Sequence, residues 1–171
     1  PTGFGMVTNE LTLNPENSQI ILGLGGVGLS ALLTAKTIGI KNLIAVDFSE
    51  KKLKKARSWG IEHVYNVHDQ NLFDIILELT GGGADFCIES AGCIETIELG
   101  FSFIRKGGGK LLFASHPPEK ETICLDPHQL ISGKQIAGSW GGATKPDANV
   151  PKMYEVLGMN LKVGQAFYVP P

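Results

Sequence analysis

The chain has 171 residues, 43% of them hydrophobic and 19% charged, with a formal net charge of −2 at pH 7. This length suits one domain around a single core, and the balance is that of a soluble globular protein rather than a disordered one. So small a net charge sets up no field toward nucleic acid or an anionic membrane, and the longest apolar stretch, residues 20–38, is broken by glycines, Ser30, Thr34, Lys36 and Thr37, so neither partner is expected.

Taken in order, short β-branched runs alternate with helical segments, the pattern of βαβ units feeding a parallel sheet. Residues 19–22 read as the first strand, turning at Gly23, and a helix follows over about residues 27–39 with Leu32, Ala35 and Ile38 at helical spacing and Gly39 as its stop. Residues 43–47 form a second strand, apolar up to Asp47 because helices cover both faces of such a sheet. Ser49 caps a basic helix ending at Gly60, residues 63–66 give a short third strand, and a helix from about Asn71 aligns Leu72, Ile75, Ile76 and Leu79. Strands over residues 84–88 and 110–114 flank a helix over 94–104, and a last strand falls near residues 135–140. The expected fold is therefore α/β, a doubly wound parallel six-stranded sheet of the Rossmann type with strand order 3-2-1-4-5-6. Residues 1–171 are read as one dinucleotide-binding domain, and the terminal Pro1 and Pro170-Pro171 as the ends of a piece cut from a longer chain.

The motif that carries function is Gly23-Leu24-Gly25-Gly26-Val27-Gly28, a G-x-G-x-x-G run placed directly after a strand and opening a helix. Gly23 permits the tight turn, Gly25 lets backbone approach a pyrophosphate, and Gly28 allows close packing of helix on strand. The helix N-terminus then offers unpaired N–H groups and partial positive charge to the phosphates. Asp47 ends the second strand 19 residues beyond Gly28, the place of a carboxylate that takes the adenosine ribose hydroxyls. A 2′-phosphate would meet a like charge there, so NAD is expected over NADP, although Lys51 and Lys52 soften the repulsion. Cys87, Cys93 and Cys124 are odd in number and scattered, and read as buried thiols in a reducing cytoplasm. His63, His68, His116 and His128 show no metal-ligand spacing, and His116 stands out because it follows strand five at the carboxyl edge, where ligands bind.

The glycine loop, Val46-Asp47 and the later Trp140-Gly141-Gly142 together resemble the medium-chain, zinc-type alcohol dehydrogenase family. The resemblance begins at Thr2-Gly3-Phe4-Gly5, similar to the family's T-G-[YF]-G helix, and runs through residues 24–29, residues 45–52, Gly82-Gly83-Ala84-Asp85 with Glu89, and Val150-Pro151-Lys152. It implies that the Gly26 and Val27 amides hold the pyrophosphate, that the Val27 side chain backs the nicotinamide and that Thr2 stands near it. By the same resemblance Asp47 and Lys52 take the adenosine ribose, Phe48 lies against the adenine, and backbone groups of Ala114, Gly138 and Trp140 fix the carboxamide. Glu89 reads equally well as a structural carboxylate, and the Trp140 side chain as core or subunit-contact material.

The resemblance further implies that catalytic zinc is held by another domain and by a cysteine upstream of Thr2, so zinc is expected in the full-length parent alone and this chain by itself should be inactive. The reading is the NAD-binding half of a dehydrogenase that oxidises an alcohol or polyol, with a small alcohol as substrate of the full-length protein and a cytoplasmic homo-oligomer as its assembly. A zinc-free reductase of the same superfamily and a non-catalytic nucleotide-sensing domain remain alternatives, since one fold hosts many functions.

Overall fold

The computed structural model describes residues 1–158. Within them six parallel strands, β1 (Ser18–Leu22), β2 (Asn42–Asp47), β3 (His63–Asn66), β4 (Phe86–Glu89), β5 (Lys110–Phe113) and β6 (Gln135–Gly138), form one sheet in the order 3-2-1-4-5-6. The expected fold class and strand order are both observed. Residues 159–171, the end of the expected domain, lie outside the described residues.

Successive side chains of a strand point to opposite faces, so Ile20 and Ile21 of β1 enter different cores. On the Ile21 side lie α1 (Thr2–Thr8), α2 (Gly26–Thr37) and α3 (Glu50–Ser58), which bury Met6, Leu29, Leu32 and Leu53. On the Ile20 side α4 (Leu72–Thr80) and α5 (Ile94–Phe103) bury Leu72, Ile76, Ile97 and Phe101. With helices on both faces every residue of β1 is buried, which is why the strand is apolar along most of its length and not alternating.

Several boundaries differ from expectation. The strand expected over 84–88 is hydrogen-bonded over Phe86–Glu89, with Ala84 making only a bridge to Ile104. The last strand stops at Gly138, because the chain turns into a 3-10 turn at Gly141–Ala143. Two helices were not read from sequence: α6 (Pro127–Ile131), capped by Asp126 accepting from the His128 amide, and α7 (Pro146–Leu157), which packs on α2. Ser49 occupies the N-cap of α3, but its hydroxyl makes no capping bond. Cys87 is buried, Cys93 only half-buried and Cys124 exposed, so one of the three is the buried thiol expected and two are not.

The topology fixes where a ligand can lie. The order reverses between β1, whose connection runs to β2, and β4 on its other side, so the loops after β1 and β4 part and leave a crevice at the carboxyl ends of the strands.

Candidate functional site

The glycine loop at this switch point contains two kinds of glycine. Gly23 adopts φ +92°, and a Cβ there would stand 2.6 Å from the Ala91 nitrogen; one on Gly28 would stand 1.8 Å from the Gly23 carbonyl oxygen. These two are required by the turn and by the packing of α2 against β1 and the β4 loop. A Cβ on Gly25 or Gly26 would meet no atom within 4 Å, so these two face open space. Gly25 is the N-cap of α2, and the first bond into the helix is from the Leu29 amide to the Gly25 carbonyl at 2.9 Å. The amides of Gly26, Val27 and Gly28 therefore have no hydrogen-bond partner among the described residues, as the first turn of a helix requires. Open space in front of unpartnered amides at a helix N-terminus is a fit for a phosphate.

Asp47, at the end of β2, is buried and reaches back to the same loop. Its Oδ2 accepts from the Leu24 amide at 2.6 Å and its Oδ1 from the Ser49 amide at 2.8 Å, while the Lys52 ammonium stands 3.3 Å from Oδ2. A carboxylate offers about four acceptor positions, so the carboxylate can still take a hydroxyl beside these three donors. The sequence marked Asp47 as a candidate ribose acceptor; its tie to the glycine loop through the Leu24 amide is a long-range contact with no local signal. Phe48, next in the chain, is 66% exposed, and the Lys52 ammonium lies 5.5 Å from its ring centre. The exposed ring forms a flat apolar surface beside the carboxylate.

The other end of the crevice is built where α1, α2 and the 3-10 turn converge. A Cβ on Gly3 would stand 2.1 Å from the Val27 carbonyl oxygen, and one on Gly142 would stand 2.2 Å from the Thr2 carbonyl oxygen. Small residues here bring half-buried Thr2 and Val27 and the turn after Trp140 into one neighbourhood. The Ala114 amide donates to the Glu89 carbonyl at 3.0 Å, so only its carbonyl is available to a ligand. Conversely, the Trp140 carbonyl accepts from the Ala143 amide at 3.2 Å, and the Trp140 amide has no partner among the described residues. Gly138 is exposed at the end of β6. The Trp140 indole is 85% exposed and so is not core; it meets the His116 ring edge-on at 5.9 Å. Both belong to a cleft of ≈ 320 Å³ shared with Phe113, Ser115 and Ser139. His116 is thus at the carboxyl edge, beside the crevice.

Glu89 resolves as a structural carboxylate. Fully buried, it accepts from the Ala91 amide at 2.7 Å, the Gly92 amide at 3.1 Å, the Thr96 hydroxyl at 2.8 Å and the Ser115 hydroxyl. Burial, with the Glu89 charge adding to it, pushes the neighbouring Cys87 thiol well above its ordinary range and keeps it inert. Ser90 completes the switch point by donating from its hydroxyl to the Gly23 carbonyl at 2.9 Å, a role no sequence signal announced.

Residues 26–157 match the protein family described as zinc-binding dehydrogenase. The chain belongs to that family. It is 34% identical over 154 residues to alcohol dehydrogenase class-2 isozyme 2 of Oryctolagus cuniculus, covering 89% of this chain and 40% of the rabbit protein. Benzyl alcohol dehydrogenase from Acinetobacter calcoaceticus superposes with a TM-score of 0.85 at 34% identity, over 97% of this chain and 44% of that one. An alcohol dehydrogenase zinc-binding domain protein from Burkholderia ambifaria gives a TM-score of 0.85 at 29% identity with the same coverage of each chain, 97% and 44%. The chain thus spans less than half the length of these relatives. Among its described residues no group of three or more His, Cys, Asp or Glu side chains converges as a metal site.

Proposed function

We propose that the chain is the NAD(H)-binding half of a dehydrogenase that oxidises a small alcohol or polyol to a carbonyl by hydride transfer. The observation that carries this reading is the row of unpartnered amides at Gly26, Val27 and Gly28, opening on free space beside the Asp47 carboxylate. The Gly26 and Val27 amides bind the pyrophosphate, with Gly23, Gly25 and Gly28 shaping its approach. Asp47 and Lys52 take the adenosine ribose and Phe48 the adenine face. Thr2 and the Val27 side chain bound the nicotinamide, whose carboxamide is held by the Ala114 carbonyl, the Gly138 backbone and the Trp140 amide. Fixing the carboxamide fixes which face of the ring receives hydride.

Asp47 selects NAD, because a 2′-phosphate would meet its charge and Lys52 is already engaged with it. A bound nicotinamide would supply the hydride acceptor, and a zinc ion held by residues outside this chain would supply Lewis acidity at the substrate oxygen. The free, exposed Cys124 suits a reducing cytoplasm. Assembly is a homo-oligomer through β6, an outer strand of the sheet, whose outer edge pairs with no other strand among the described residues and lacks a blocking proline. The Gln135 and Ser139 amides donate to the β5 side, so the Ile136 amide between them faces the outer edge, and replacing Ile136 by proline is expected to dissociate the assembly while circular dichroism stays unchanged; a monomer for both proteins in light scattering would remove the edge-pairing proposal.

Fluorescence titration of the chain with NADH and NADPH tests the central reading. Saturable NADH binding, weaker than micromolar because an open crevice buries less of the ligand than a closed one, is expected, with NADPH weaker still and no alcohol oxidation. Preference for NADPH, or turnover by the chain alone, would overturn it.

A further inference from the structure

The amino-terminal edge of the sheet, opposite the glycine loop, carries a second cleft, of ≈ 540 Å³. This is within the size range of small-molecule sites. Its wall is apolar where α4 and the end of α5 face each other: Phe73, 45% exposed although its ring stacks on Phe103, with Leu77 and Ile104. Its other wall is cationic, from the loop after α5 and the turn before β6. The shape is held by backbone bonds, since the Gly107 and Gly108 amides donate to the Ser132 and Gly133 carbonyls at 2.8 and 2.9 Å.

The charge here is unbalanced. Arg105 is neutralised by Asp85, whose Oδ1 accepts from the guanidinium Nε at 2.8 Å. Lys134 is buried with its ammonium donating to the Phe101 carbonyl at 3.0 Å, the Ser102 carbonyl at 3.1 Å and Gln129 Oε1 at 2.8 Å, all neutral acceptors. No carboxylate of the described residues lies within ion-pair distance of it, nor of Lys106, whose ammonium has no hydrogen bond either. Burial, and then the like charge of Lys106, lower the proton affinity of Lys134. Because Gln129 Oε1 accepts from Lys134, its Nε2 is a donor without a partner among the described residues.

We propose that this cleft is a second binding site, for a small organic anion whose carboxylate meets Lys106 and the Gln129 amide while its apolar body lies along Phe73, Leu77 and Ile104. Lys134 acts through its field, since its three N–H groups are already used. This inference is independent of the dinucleotide reading, because no residue is shared between the two sites.

Octanoate is the probe, titrated into the full chain by calorimetry and followed by backbone amide shifts, with 1-octanol and inorganic phosphate as the apolar and anionic halves alone. Saturable octanoate binding, with shifts centred on residues 73–82, 102–107 and 129–134 and with both controls at least about tenfold weaker, is expected. Lys106→Glu, on an exposed side chain, should weaken octanoate about tenfold or more and leave NADH titration unchanged, and Phe73→Ser should do likewise. Octanol or phosphate shifting these same residues as tightly as octanoate, an unaffected Lys106→Glu variant, or no saturable octanoate binding would each overturn the proposal; phosphate shifts confined to residues 23–28 report the glycine loop.

Discussion

The two edges of the sheet are finished in opposite ways. At the amino edge side chains tie the strands: Asp85 joins β1 to β4 by accepting from the Ser18 amide at 2.8 Å and hydroxyl at 3.0 Å, and Lys134 caps the carbonyls ending α5. At the carboxyl edge the functional groups are mostly backbone, exposed by glycines that remove any side chain between the chain and a ligand. Side-chain ties tolerate an approximate backbone, whereas a surface of bare amides depends on the backbone path itself. The carboxyl edge should therefore be the more fragile under substitution, and its tolerance should vary sharply from one glycine to the next.

Gly28→Ala should show the largest effect, since its Cβ would lie 1.8 Å from a carbonyl oxygen that the turn cannot move. Overpacking of this kind costs about 3 kcal/mol, roughly 6–12 °C in Tm for a domain of this size, and NADH binding should vanish with it. Gly25→Ala, at φ −78° with no atom within 4 Å, should keep the wild-type Tm and lose NADH affinity through the methyl group in the approach path. Equal thermal melts for the two variants would erase the distinction between packing and binding glycines.

Asp47→Ala comes next, because it removes the acceptor for two amides, Leu24 and Ser49, and for Lys52. A bond to a charged acceptor is worth about 1.5–3 kcal/mol, and with water entering the vacated space to take up the other donors the stability lost should be of that order, while NADH affinity falls about tenfold to a hundredfold. NADPH should lose less, since the opposing charge is gone as well. Asp47→Asn retains an acceptor oxygen and should recover more stability than affinity. Wild-type NADH affinity in the alanine variant would separate Asp47 from the ribose.

How much of this was legible in the sequence follows the same division. Gly23 and Gly28 report steric demands directly, and the apolar runs of β1 and β2 report burial on both faces, so the sheet order and loop could be read. α7 was not, because none of its residues is buried and Pro151 interrupts it, leaving no apolar stripe to detect. α6 did carry a signal, Asp126 at the cap with Pro127 behind it, but only five residues of helix. The Trp140 side chain read as core or subunit-contact material, and its exposure two residues past the end of β6 removes the core reading alone. The Asp47–Leu24 tie, the acceptors around Lys134 and the four donors on Glu89 each join distant stretches, and nothing in local composition encodes them.

The smallest effect expected is an acid-side one at the amino edge. Burial raises the proton affinity of Asp85, but hydrogen bonds from the Ser18 amide, Arg105 and the Ser18 hydroxyl, with the Arg105 charge, outweigh it and hold the carboxyl below its ordinary 3.8. Between the folded value and 3.8 the unfolded chain binds more protons than the folded one. The stability from Asp85 is thus fully present above about pH 4 and is lost as pH falls through the folded value. With Arg105 partly exposed the contribution is screened, to about 1 kcal/mol or less. Asp85→Asn should therefore unfold at lower urea than wild type near pH 7, with the gap closing as the pH is taken toward about 2. Its NADH affinity should not change, because the tie lies at the opposite end of β1 from the glycine loop. A gap that stayed constant with pH would mean that Asp85 holds the two strands by shape and not by charge, and a loss of NADH affinity would mean that the two edges are not independent.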